Sequence, residues 1–320
     1  MLGPRSTPDA CRWMSIHDAC RMFATHAGGT QSARHIKPLH WYMACRLVLE
    51  GGFDPDDVTP RPPFRVSRRN VLSFDPETAG TGEEIILGGL KTKNVDVVVT
   101  KPRIGPVLAI SCKGATKAFR NLTNRMEETI GECTNLHITY PALVIGYFVV
   151  LRANRSVQDA LDAPRLGPDE GIAVGADEQS DDGAAPSGIE KIERNDVAIL
   201  SSGEPNEEIR RFYMALSEMT GRRGIREEIS RYEAIGMALI EPRGDQAGNL
   251  FPGFPPTQSL LNPDRFFPAL YQQYDERFVF GAPLLAGRTR RREWAVASPL
   301  FETATAQLPA LDYQPRTSEI

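Results

Sequence analysis

Three charged side chains stand out for the company they keep. Asp96 interrupts the β-branched run from Val95 to Thr100. Lys113 lies just beyond an apolar run that begins at Val107. Glu127 follows on a stretch with helical spacing, one step round from its apolar stripe. Two carboxylates can hold a hard divalent cation through oxygen. Such a cation polarises a phosphate and lowers the pKa of a bound water. A lysine ammonium nearby can position that water or offset the developing negative charge. These residue types are those that metal-dependent phosphodiester cleavage needs.

The elements that must position them are legible from periodicity. Val95, Val97 and Val99 alternate with Asp96, Val98 and Thr100, as in a strand. Lys101 to Pro106 is turn material, and Val107 to Ile110 reads as a second strand ending abruptly at Ser111-Cys112-Lys113. Alternation turns Cys112 away from Ser111 and Lys113, into the core. After Gly114, Phe119, Leu122, Met126, Ile130 and Cys133 form one helical stripe. Beyond Pro141, Ala142 to Leu151 is the most apolar run, expected at the centre of a mixed sheet with both faces buried. His137 is expected in a loop.

Asp96, fourteen residues, then Ser111-Cys112-Lys113 resembles the core of PD-(D/E)xK nucleases, the restriction-endonuclease-like fold. The resemblance spans residues 80–151, less than a quarter of the chain. The usual second acid, two residues before the lysine, is replaced by Ser111. One branch of restriction endonucleases shares this S-x-K form and carries a metal-binding glutamate on the next helix, about fourteen residues after the lysine. That position here is Glu127, with Glu128 one residue off as a second candidate. The resemblance implies an α/β fold whose central mixed sheet is flanked by helices. It implies Asp96 with Glu127 or Glu128 as metal ligands, Lys113 assisting the attacking water, and Ser111 in the missing acid's place. Related nucleases often add an upstream glutamate, for which Glu84 or Glu83 is placed. Mg²⁺ is the implied cofactor, with Mn²⁺ as a substitute.

Double-stranded DNA is the implied partner. Lys117, Arg120, Asn121, Asn124 and Arg125 lie on or near the polar side of the motif helix. In the resembling enzymes side chains just after the lysine reach base edges, where Arg suits guanine and Asn suits adenine. Cutting both strands implies a homodimer or higher homo-oligomer. The branch implies restriction or phage defence, with a cognate methyltransferase or other defence protein as companion. Ser111 also keeps a different reading open, a nuclease fold without activity that serves as a DNA-binding or assembly module.

The rest of the chain sets bounds. Its 320 residues are 41% hydrophobic and 24% charged, ordinary for a globular protein. No apolar run approaches a membrane span, and the first twenty residues lack the apolar core of a secretory leader. The expected location is the cytoplasm or nucleoid, and no membrane partner is expected. Five scattered cysteines with no C-x-x-C pair argue against a disulfide framework and a zinc site. The net charge of −4 argues mildly against DNA binding, although a local basic cleft suffices. Most of that charge sits in an acidic, mobile loop expected at 159–190, outside which the balance is slightly basic.

Three regions are expected: a helical and irregular part over 1–75, the nuclease-like core over 76–240, and a Pro-, aromatic- and Arg-rich extension over 241–320 packed on the core as irregular structure. Helices are expected over Ser15–His26, up to Glu50 before the Gly51-Gly52 stop, over Glu204–Thr220 and over Ile225–Ile235. Short strands are expected at Ile85–Leu87, Asp196–Leu200 and Gly236–Ile240. His17 and His26 read as surface or helix-packing residues, and His35 and His40, on or near the second helix, are not four apart as a metal pair would be. Arg61, Arg65, Arg68 and Arg69 form one basic patch, either a solvated loop or a phosphate contact. Arg288, Arg290, Arg291 and Arg292 form another, beside Trp294.

Overall fold

The computed structural model describes residues 13–26, 35–117, 119–156, 196–226, 228–304 and 311–319. The chain runs α1 (Ile16–Thr25), α2 (Lys37–Leu49), β1 (Val58–Thr59), β2 (Phe64–Val66), β3 (Leu72–Phe74), β4 (Glu84–Ile86), β5 (Lys93–Val95), β6 (Val97–Lys101), β7 (Gly105–Ala115), α3 (Leu122–Thr139), β8 (Val144–Arg152) and β9 (Ala234–Ile240). A helix over Glu207–Glu218 precedes β9, and one over Pro263–Tyr274 follows it.

The central sheet has five strands in the order β1-β6-β7-β8-β9. β6 pairs antiparallel with both β1 and β7, while β7, β8 and β9 run parallel. Parallel neighbours need long crossovers, and α3 lies in the first of them. Every residue of β8 is buried, as its unbroken apolar run requires. Alternation divides the valines of β6 between the two faces: Val97 and Val99 join one core, and Val98 the other. The first core packs the sheet against α1, α2 and the helix Pro263–Tyr274, and the second against α3 and the helix Glu207–Glu218. The result is an α/β protein with a mixed central sheet flanked by helices.

Local chemistry explains these elements. Ser15 caps α1 by accepting the Asp18 N–H at 3.0 Å. α2 stops at Gly52, whose φ of +67° suits glycine. Only Lys37 and Arg46 of α2 escape burial, so this helix is surrounded rather than one-sided. Gly146 and Gly236 leave the sheet surface open where Phe266 seats; a Cβ on Gly146 would stand 2.7 Å from that ring.

Several expectations are corrected. β7 does not end at Lys113 but continues to Ala115, because β8 pairs with it along that length. The inward face of α3 is Leu122, Thr129, Cys133 and Leu136, and Ile130 is exposed on the opposite side. His137 belongs to α3 and is buried, not in a loop. Residues 196–200 carry only the single bridge Ile199–Pro205. Among the described residues of 225–235 no helix forms, and β9 is longer than expected at Ala234–Ile240. The C-terminal part is not wholly irregular: its helix Pro263–Tyr274 covers one sheet face. The acidic segment, Cys11 and Gly28-Gly29 lie outside the described residues. Among the described residues no helix is long and apolar enough to cross a membrane.

One buried ionic cluster joins distant segments. Glu233 accepts Arg222 Nη1 at 2.8 Å, Arg277 Nη1 at 2.6 Å and the Ile145 N–H at 2.6 Å. His137 Nε2 lies 3.6 Å away. Burial opposes the Glu233 charge, yet the contacts from His137 and Arg277 outweigh it and hold the carboxyl below its usual range. Removing one member of such a buried pair strands the other's charge. Glu233→Ala is expected to destabilise the chain by about 3–5 kcal/mol in urea unfolding. A loss within about 1 kcal/mol would mean that the cluster contributes little.

Candidate active site

The β6–β7 hairpin ends with Val97 opposite Ile110. One further step would set Asp96 opposite Ser111 and Val95 opposite Cys112. Instead β5 turns away to pair with β4, and the Asp96 carboxylate occupies the fork. Its Oδ2 accepts the Cys112 N–H at 2.7 Å and meets the Ser111 hydroxyl at 3.5 Å. Lys113 Nζ stands 3.8 Å from the same oxygen. The other oxygen, Oδ1, is 3.7 Å from His40 Nε2. Asp96 is only 8% exposed, so its charge depends on these partners.

Electrostatics assign states to the neighbours. Burial alone would lower the Lys113 pKa, but Asp96 and Glu132 outweigh it and hold the ammonium above the ordinary lysine range. Burial pushes the His40 pKa down, against the opposing pull of Asp96. Burial, followed by the Asp96 charge, raises the Glu83 carboxyl. Cys112 points to the opposite core, and burial lifts its thiol well above the usual value, which removes it as a nucleophile.

Two openings reach the fork. A cavity of about 270 Å³ is lined by Lys37, His40, Trp41, Glu83 and Asn94. On the other side a cavity of about 520 Å³ is lined by Lys93, Lys113, Arg125, Glu127, Glu128 and Glu132. Among the described residues, one group of three has ligand atoms within 4.8 Å of one another: His40, Glu83 and Asp96.

Asp96, Ser111 and Lys113 are thus brought together. Glu127 and Glu128 are exposed on α3 and share the larger cavity with Lys113, outside that three-residue group. Of the two upstream glutamates, Glu83 joins Asp96, whereas Glu84 accepts the Thr100 hydroxyl at 2.9 Å. Asn121 and Asn124 are exposed, Lys117 and Arg125 partly so, and the Arg120 side chain lies outside the described residues. Half of the two basic patches is committed elsewhere: Arg61 pairs with Asp56, Arg65 with Asp75, Arg291 with Asp275 and Arg292 with Asp54.

Sequence reasoning missed two residues. Glu132 is buried on α3, bonds Lys93 at 2.9 Å and acts on Lys113. Its signal was a carboxylate directly beside the inward Cys133. His40 was missed because only its spacing from His35 was weighed; a histidine among the apolar residues of α2 was the clue. No family model matches the chain, and neither a curated protein nor a solved structure does.

A second histidine adds a pH signature. The His35 pKa is lowered to about 4, first by burial and then by His26, His40 and Arg125. The unfolded imidazole titrates near 6.5, so below that pH the unfolded chain binds more protons. The stability that a neutral His35 contributes is therefore complete above pH 6.5 and is lost as pH falls toward 4. Thermal unfolding across that window is expected to show a falling Tm, with a shallower fall in His35→Gln. An unchanged slope would show that His35 is already charged when folded.

Proposed function

We propose that the chain is a metal-dependent nuclease that hydrolyses phosphodiester bonds in DNA, in restriction or phage defence. The carrying observation is the Asp96 carboxylate at the fork of the sheet, 3.8 Å from the Lys113 ammonium. The order of hairpin, helix and parallel strand around it supports the restriction-endonuclease-like reading. The donor set fits a divalent cation: two carboxylates converge, and the buried His40 Nε2 has no hydrogen-bond partner. A bound cation would supply Lewis acidity and a more acidic water.

The chain's own residues then divide the work. Hydrolysis adds a water oxygen to phosphorus and breaks a P–O ester bond, leaving a phosphate monoester and a hydroxyl end. Lys113 remains an ammonium, so it does not remove the water's proton; it offsets charge that builds on the phosphate oxygens. Asp96 holds Lys113 on one side and Glu132 acts from the other. Lys117, Asn121, Asn124 and Arg125, on the approach to α3 and its first turns, would meet the duplex. Ser111, which brings no carboxylate to the fork, favours the second reading of an inactive DNA-binding module.

Cleavage of supercoiled and phage DNA with Mg²⁺ or Mn²⁺ separates the two. Lys113→Ala is expected to lower the rate by about 10²–10³-fold. Asp96→Asn, which keeps an acceptor for the Cys112 N–H, is expected to abolish cleavage. No cutting by the unaltered chain, with metal-independent DNA binding that survives Asp96→Asn, would replace the nuclease with the binding module.

A further inference from the structure

His40 is the member of the fork that phosphodiester hydrolysis does not itself explain. It sits in the first turns of α2, 3% exposed, and its Nε2 makes no hydrogen bond. Asp96 Oδ1, at 3.7 Å, is too far to accept one. An orphaned buried polar atom costs about 1–3 kcal/mol, and α2 is packed on almost every side. What lies in front of the nitrogen is a pair of carboxylates, one buried and one exposed.

From this geometry, and resting on the metal-dependent reading above, we infer that His40, Glu83 and Asp96 form a nitrogen-plus-two-oxygen site for a first-row transition-metal ion, in preference to Mg²⁺. Ligand atoms bound at about 2.0–2.2 Å from one ion lie at most about 4.4 Å apart. The three donors already lie within 4.8 Å. Glu83 precedes β4 and is exposed, so it has the freedom to close the remaining distance. A buried imidazole nitrogen without a hydrogen-bond partner, facing two carboxylates, is available as a ligand.

The donor types decide the class of ion. Mg²⁺ demands octahedral oxygen and gives up its waters reluctantly. Imidazole favours the later first-row ions, whose affinity for mixed N/O sites rises along the series from Mn²⁺. The Lys113 ammonium 3.8 Å from Asp96 also weakens any purely electrostatic hold on a hard cation. A covalent contribution from nitrogen is less sensitive to that neighbour. His26 and His35, whose rings are 5.8 Å apart, form a separate unpartnered pair. They bring no carboxylate with them in that three-residue group.

The test is calorimetric titration of the metal-stripped full chain with CoCl₂ and with MgCl₂, alongside the visible absorption of Co²⁺. One Co²⁺ per chain is expected, bound at least about a hundredfold more tightly than Mg²⁺. His40→Gln is expected to cost about tenfold to a hundredfold in Co²⁺ affinity, to shift the Co²⁺ band, and so to shrink the preference for Co²⁺ over Mg²⁺. Glu83→Gln, at an exposed position that does not threaten folding, is expected to weaken Co²⁺ binding too. Equal Co²⁺ and Mg²⁺ affinity in the unaltered chain, or full Co²⁺ affinity in both variants, would overturn the inference. Loss of binding in both variants without DNA cleavage by any form would uphold the metal site and overturn the nuclease. Mg²⁺-supported cleavage by a chain that binds Co²⁺ no more tightly than Mg²⁺ would do the reverse.

Discussion

A single buried carboxylate governs the middle of this molecule. At the point where β6 gives way to β5, the Cys112 N–H loses its ladder partner, and the Asp96 side chain supplies one at 2.7 Å. A buried N–H must be satisfied, and a buried carboxylate must be compensated. Each solves the other's problem. The geometry follows: the chain forks, β5 departs to β4, and β7 runs on beside β8 alone. The same fork exposes Lys113 and draws His40 and Glu83 toward one point, so the architecture and the chemistry share one cause.

The fork is held still by two layers of packing. One core, running from Met14 to Tyr313, fixes α2 and hence His40 against the sheet. The other fixes α3 and hence Glu132. Behind α3, Glu233 gathers Arg222, Arg277, His137 and the Ile145 N–H into one buried cluster. Ion clusters of this kind add little net stability over an apolar core, but they tolerate one arrangement only. Through Arg277 and Ile145 the cluster ties the C-terminal segment to the start of β8.

Charge placement also clarifies a low overall balance. The chain is net negative, yet the larger cavity beside the fork carries Lys91, Lys93, Lys113 and Arg125 together with its acids. Of the arginine-rich stretches that look most basic in sequence, four residues are paired with Asp54, Asp56, Asp75 and Asp275. A field strong enough to meet a polyanion depends on which cations stay unneutralised, not on where they cluster along the chain.

Much of the fold was readable from periodicity. Alternating valines marked β6, an unbroken apolar run marked β8 as a central strand, and glycines marked the end of α2. Short-range rules suffice there because each such element is specified by its own side-chain period. The Asp96–Lys113 pair was readable for the same reason, since a charge inside an apolar strand is a local anomaly. The extent of β7, the face of α3, the course of 225–235 and the helix at 263–274 were not, because partners far along the chain decide them. His40 and Glu132 belong to that second class. No spacing links residue 40 to residue 96 or residue 132 to residue 113; only the packing of α2 and α3 on opposite faces of one sheet brings their side chains to the same fork.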